Sequence, residues 1–436
     1  MGRLLIAGGR VIDPHSGFDG IADVAVEGDR IAAIGPDLDR TPADAIFDAQ
    51  GCIVTPGLID PHVHLREPGH EHKETIATGT AAAVAGGFTS VCCMPNTLPA
   101  LDTPEAIRFI LERARSTAHC RVFPVAAGTV GRKGEHPAEI GLLAREGAVA
   151  FSDDGDAIPT AGVMSKVLRL VEATGRAFMQ HCQDPTMTQG AAMHSGSIAI
   201  RLGLTGWPRE AEEVIVERDL RVNRPIGCAY HVQHISSAGT VEIVRRARAE
   251  GLPVTAEATP HHMLLTHEAC EGYATAAKVN PPLREASDAR AIVEGVAEGV
   301  ITVLGTDHAP HAPHEKALEF ENAPMGMIGL ETAVALYLEA LVHSGAIGLP
   351  RLIALMTVEP ARLCGLLGQG LGMLTVGGPA DITIIDPAHE WTVQERDLAG
   401  KSRNTPFLGR AVRGRAIGTI IGGTVRHHLH RAPTEG

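Results

Sequence analysis

The chain is 436 residues long, with a formal charge of −13 and eight cysteines. That length fits a large barrel with a smaller appended domain and allows a substantial core. The acidic balance argues against a nucleic-acid binder, which carries a basic stripe, and it makes any anion recognition a local matter.

The opening, MGRLLIAGGRVIDP, lacks the long apolar stretch of a secretory signal. No uninterrupted apolar run approaches the ~20 residues of a membrane span. The cysteines include no Cys-x-x-Cys pair and read as reduced thiols. A soluble, cytoplasmic protein is expected.

The first elements are short strands. LLIAGGRVID, IADVAVEGDRIAAIG and AIFDAQGCIVTPG alternate roughly and are broken by Gly and Asp. The same texture returns in GGPADITIIDP and RAIGTIIGGTVRHH. We therefore expect residues 1–55 and 366–436 to form one composite β domain, a small sandwich built from both chain ends. Residues 56–365 change character: apolar strand-like runs alternate with helical segments such as TPEAIRFILERARS and SAGTVEIVRRARAEG. The runs are CIVTPGLIDPHVH, FTSVCCMPN, RVFPVAAGT, AVAFSDDG, AFMQHCQD, AYHVQHIS, LPVTAEATPHH and VITVLGTDHAP. Eight of them imply an α/β fold, a (β/α)₈ TIM-like barrel, whose active site forms at the C-terminal strand ends.

Those ends carry the polar chemistry. Alternate residues of a strand share a face, so His62 and His64 can point together into the barrel mouth. A lone His-x-His is a weak signal. It strengthens because FSDDG ends the fourth run, MQHCQD the fifth, HVQHIS the sixth and GTDHAP the eighth. Imidazoles and carboxylates suit zinc and similar divalent ions, and this number of them suits a pair of ions about 3.5–4 Å apart around a bridging water. Cys182 should face away from such a site, His261 and His262 read as structural, and His70 and His72 of GHEHKE read as a solvated helix start. The stretch GDAIPTAG is either a lid or an ordinary loop.

The order of His-x-His, an acid, two separated histidines and a late aspartate resembles the amidohydrolase superfamily. The finer text DPHVHLREPG, MPNT, FSDDG, GTDHAPH and KSRNTPF resembles class I dihydroorotases, over about residues 1–425. The resemblance implies two zinc ions per subunit, with His62 and His64 on the first, His181 and His234 on the second, Asp154 bridging and Asp307 on the first. Many superfamily members bridge with a carboxylated lysine, which AVAFSDDG lacks; the class I pattern has aspartate there. Strand alternation lets only one of Asp153 and Asp154 face inward, and the motif match selects Asp154.

The implied reaction is reversible hydrolysis of the cyclic amide of dihydroorotate to N-carbamoyl-L-aspartate, in pyrimidine synthesis. Asp307 is the expected catalytic acid–base. Arg66, Asn96 and His311 would secure the substrate carboxylate, and Asn280 with the backbone of Met325 and Gly326 would contact the ring. His64, a ligand, would also border the substrate. Close class I sequences tend to have Phe-Gly where this chain has Met325-Gly326. The competing reading of Arg66 is a surface ion pair with Glu67 or Glu71.

Two other functions compete: a hydantoinase or allantoinase, and an inactive scaffold for aspartate transcarbamoylase. All six ligand positions are filled, which speaks against the scaffold. A homodimer and an association with aspartate transcarbamoylase both stay open at this point.

Overall fold

The structure, a computed structural model, describes residues 3–41 and 43–429. Eight parallel strands form the central sheet: β1 (Leu58–Val63), β2 (Phe88–Cys93), β3 (Arg121–Ala126), β4 (Ala150–Phe151), β5 (Ala177–Gln180), β6 (Ala229–Val232), β7 (Val254–Ala258) and β8 (Val303–Leu304). They lie in chain order across the sheet. A parallel bridge from Val63 to His308 and a 2.9 Å hydrogen bond from the His64 N–H to the His308 carbonyl close it into a barrel. Asp60 reinforces the seam: its carboxylate accepts from the His62 N–H at 3.0 Å and from the Thr306 hydroxyl at 2.5 Å.

Helices alternate with these strands, and their starts follow the caps in the sequence. Thr103 accepts from Ala106 N–H, Thr160 from Val163 N–H and Ser237 from Thr240 N–H, filling donors that a helix start leaves open. The strands' outward apolar residues, among them Phe88, Phe151, Phe178 and Tyr230, share one core with these helices.

The expected first run is in fact two strands. Ile53–Pro56 belongs to a separate sheet, pairing antiparallel with Ile382–Ile385, and β1 begins after Gly57. A Cβ at Gly57 would sit 2.0 Å from Thr89 Oγ1, so only glycine allows the chain to cross between sheets here. That second sheet is built from both chain ends. Its order is Thr424–His428, Ala411–Ile421, Ile382–Thr392, Ile53–Pro56, Arg3–Asp13, Phe18–Glu27, Arg30–Gly35, with Ala45–Asp48 also on Arg3–Asp13. Ile6, Val24 and Ile31 share a core with Ile384, Ile417 and Ile420, so the sheet curls over its own apolar face.

One further expectation needs correction. His70 and His72 do not open a helix; they lie in turns ahead of the helix Ile76–Ala85, which Thr75 caps. After β5 the chain also makes an unforeseen excursion, pairing Met193–His194 with Gly206–Trp207 around the helix Ser197–Leu202. The GDAIPTAG stretch is pinned by Arg218, which donates to the carbonyls of Ile158 and Pro159. Among the described residues no helix is long and apolar enough to cross a membrane.

Candidate metal centre and substrate pocket

The C-terminal strand ends converge on a cavity of about 200 Å³, bordered by His64, Arg66, Asn96, Asp154, His181, His234, Asn280, Asp307, His311, Met325 and Gly326. His62 lies directly beneath. Asp154 is central: its Oδ1 is 3.2 Å from His62 Nε2, 3.6 Å from His181 Nδ1 and 3.7 Å from His234 Nε2. Its Oδ2 is 3.5 Å from His64 Nε2, and Asp307 Oδ1 is 3.0 Å from the same nitrogen. Two sets of ligand atoms, from His62, His64 and Asp154 and from Asp154, His181 and His234, each lie within 4.8 Å of one another. Asp153 points elsewhere, accepting from the N–H groups of Gly128 and Thr129. Cys182 is turned toward Tyr230 in the core.

The imidazoles are oriented from behind. His62 Nδ1–H donates to Glu257 at 2.5 Å, His64 Nδ1–H to Asn96 Oδ1 at 2.8 Å, and His181 Nε2–H to Gln183 Oε1 at 2.9 Å. Such partners fix the tautomer and aim the other ring nitrogen. Those other nitrogens converge: His181 Nδ1 and His234 Nε2 face each other at 2.8 Å. His62 Nε2 and Asp154 Oδ1 are buried without a hydrogen bond among the described residues. Lone pairs aimed at one another in a buried site call for a cation. The electrostatics agree. Burial opposes a charge on His62, yet Glu257 and Asp154 outweigh it and raise the ring's proton affinity well above its ordinary value. Burial likewise works against ionised Asp307, but the His64 contact and the nearby His62 hold its carboxyl well below the usual range.

Arg66 is buried in the pocket wall. Its Nε donates to the Pro310 carbonyl at 3.1 Å, and an Nη2 lies 3.4 Å from His311 Nε2. Burial lowers its pKa to about 10, which leaves it charged at neutral pH. The carboxylates once offered as its surface partners are taken: Glu67 pairs with Arg113 and Glu71 accepts from Gly69 N–H. Arg66, His234 and Asp307 all carry a left-handed φ, at 62°, 28° and 48°. Such strain, about 1–3 kcal/mol each, clusters where surrounding structure holds side chains for function.

The Met325–Gly326 backbone borders the cavity but is internally engaged. His311 Nε2–H donates to the Met325 carbonyl at 2.8 Å, and Gly326 N–H donates to Lys278 O at 2.8 Å. Asn280 donates to Gln183 Oε1 at 3.0 Å, the same oxygen that supports His181. His262 bridges Thr259 and the Pro281 carbonyl and so is structural.

Several residues escaped the sequence reading. Glu257, in β7, also accepts from His231 and from the His234 N–H, so with His62 one carboxylate serves three histidines. Asn404 of KSRNTPF accepts from the His311 N–H and donates to the carbonyls of Ala309 and Gly326, tying two pocket walls together. Glu257 did carry a signal: it is the one acid in VTAEATPHH, inside a strand that otherwise reads as buried.

Barrel, composite sheet and histidine–aspartate cluster together define a hydrolase of the amidohydrolase type with a divalent metal centre. A dihydro-orotase-like family model matches residues 51–240. The chain is 46% identical to a dihydroorotase of Solibacter usitatus, over 97% of both chains. It is 47% identical to one of Pelotomaculum thermopropionicum, over 97% of this chain and 98% of that relative. Among solved structures, an L-hydantoinase (dihydropyrimidinase) from Arthrobacter aurescens is similar, with a TM-score of 0.89 at 26% identity, covering 100% of this chain and 98% of that one. The chain belongs to the dihydroorotase family, enzymes that hydrolyse cyclic amides.

Proposed function

We propose that the pocket opens and re-forms the cyclic amide of L-dihydroorotate, interconverting it with N-carbamoyl-L-aspartate in the third step of de novo UMP synthesis, in the cytoplasm. The observation that carries this reading is Arg66, a buried cation at the cavity wall beside His311, with Asn96 bordering the same cavity. In an acidic chain, a buried guanidinium is a costly and specific way to receive one small anion. Its planar fork matches a carboxylate in two hydrogen bonds.

We assign two zinc ions to the centre: His62, His64 and Asp307 would hold one, His181 and His234 the other, with Asp154 shared. When bound, the metals supply an activated water and polarise the amide carbonyl. Asp307 would take a proton from the water that attacks the carbonyl carbon and give it to the ring nitrogen as the C–N bond breaks. Its depressed pKa keeps it ionised. Glu257, Asn96 and Gln183 hold the imidazoles that surround it. Asn280 and the Met325–Gly326 wall border the ring. Ring closure consumes one ionised carboxylate and takes up a proton, so lower pH favours the ring.

The likeness to hydantoinases favours a second reading, a hydantoin or allantoin substrate. Those substrates lack a ring carboxylate for Arg66. Arg66→Ala separates the two: we expect about a 100-fold loss in kcat/KM for dihydroorotate, the worth of two charge-assisted hydrogen bonds, with bound metal unchanged. Unaltered kcat/KM would move the assignment to the second reading.

A further inference from the structure

Lys73 sits in the GHEHKE run that reads as solvated, yet its ammonium is turned inward with 15% of its side chain exposed. Its Nζ lies 3.4 Å from His311 Nδ1 and 3.0 Å from Glu315 Oε1. An ammonium has three donors and no acceptor, so His311 Nδ1 has to accept there. Glu315 does not compete as an acceptor. Its Oε2 is 3.8 Å from Nδ1, beyond hydrogen-bond reach, and already takes the Ala312 N–H at 2.9 Å.

Burial, with Arg66, Lys73 and Lys316 close by, drives the His311 pKa far down, so the ring is neutral at working pH. A neutral imidazole carries one N–H, and here it falls on Nε2. Nε2 is the pocket-side atom, 2.8 Å from the Met325 carbonyl and 3.4 Å from an Arg66 nitrogen. With the proton on Nδ1, Nε2 would turn a lone pair toward both the Met325 carbonyl and an incoming carboxylate, repelling each.

We propose that Lys73, steadied by Glu315, is a positioning residue for the substrate carboxylate: it locks His311 in the Nε2–H form, whose one N–H is held by the Met325 carbonyl, so that no imidazole lone pair faces a carboxylate at the Arg66 guanidinium. The proposal rests on the reading of this pocket as a carboxylate site. It explains why a cation is stationed behind a histidine that is already next to an arginine. A second cation there donates to His311 and never reaches the pocket.

The test pairs kinetics with a direct view of the proton, using zinc-loaded full-length protein. Lys73→Met should raise KM for dihydroorotate about tenfold, the worth of one hydrogen bond to a charged partner, with kcat and bound zinc little changed. Lys73→Arg, which keeps a donor, should restore most of the loss. In ¹⁵N-histidine NMR, with His311 assigned by its loss in His311→Gln, Nδ1 should be unprotonated in the wild type and Nε2 should lose its sole claim to the proton in Lys73→Met. An unchanged KM and tautomer in Lys73→Met would overturn the proposal. So would equal losses of kcat and thermal stability that Lys73→Arg fails to repair. If the wild type does not open dihydroorotate, the functional reading fails by itself. The spectrum then decides alone: a proton on Nδ1 of the wild type overturns the role of Lys73, and one on Nε2 upholds its setting of the tautomer.

Discussion

The composite sheet and the barrel mouth use buried positions in opposite ways. In the sheet, inward positions are filled by Leu4, Ile6, Val11, Val24, Val26, Ile382 and Ile384, and burial itself is the stabilising event. At the mouth, equally buried positions hold His62, His64, Asp154, His181, His234, Glu257 and Asp307. Desolvating so many ionisable groups costs free energy unless each is paired. The chain accepts that cost where a cation and an anionic substrate are to be received, and the apolar sheet and barrel core offset it. Mutations in the two regions should therefore separate activity from stability.

The largest expected effect lies at the mouth. Asp307→Asn removes the proposed proton carrier while keeping the shape, and should lower kcat about 10³-fold without lowering the thermal midpoint of the metal-free protein. Steady-state assays of the zinc-loaded enzyme with calorimetry of the metal-free protein read both quantities; a metal-free midpoint that drops with kcat would mean that Asp307 is there for the fold. In the sheet the pattern should invert. Ile6→Ala, at a fully buried position, should cost about 2–5 kcal/mol in denaturant unfolding and leave kcat and KM of the folded enzyme as they were. A kinetic defect at native conditions would show that the two regions are coupled.

The smallest effect concerns a third kind of site, a buried histidine away from the mouth. His194 Nδ1 lies 3.3 Å from an Arg284 nitrogen. Burial first, then Arg284, His267 and Arg209, lower the His194 pKa to about 4. The unfolded chain binds that proton near 6.5. Between these values only the unfolded state is protonated, so stability falls as pH drops from about 6.5 to about 4. His194→Gln should flatten this part of the stability curve by about 2 kcal/mol. An identical slope in the variant would assign the acid sensitivity to other groups.

Legibility in the sequence follows the same division. The composite sheet announces itself because strand alternation and Gly/Asp breaks are local, as in IADVAVEGDRIAAIG, which becomes the hairpin Phe18–Glu27 and Arg30–Gly35. The barrel is legible from its eight runs, although β4 and β8 are only two residues each and show more in their polar ends than in their strands. His62, His64, Asp154, His181, His234 and Asp307 stand out because each ends a run. Their supports do not. Glu257 reaches His62 across 195 residues, and Asn404 reaches His311 across 93. No local period encodes such pairings. The excursion around Ser197–Leu202 was missed for a related reason: its strands are two residues long and rest on packing against the segment after β7, where Cys270, Val279 and Leu283 share its core.

The most direct test is ring opening of L-dihydroorotate by the purified protein, with and without zinc, beside hydantoin and allantoin. The account predicts zinc-dependent turnover of dihydroorotate and little or none of the other two. Zinc-dependent turnover of hydantoin or allantoin with dihydroorotate left intact would contradict it.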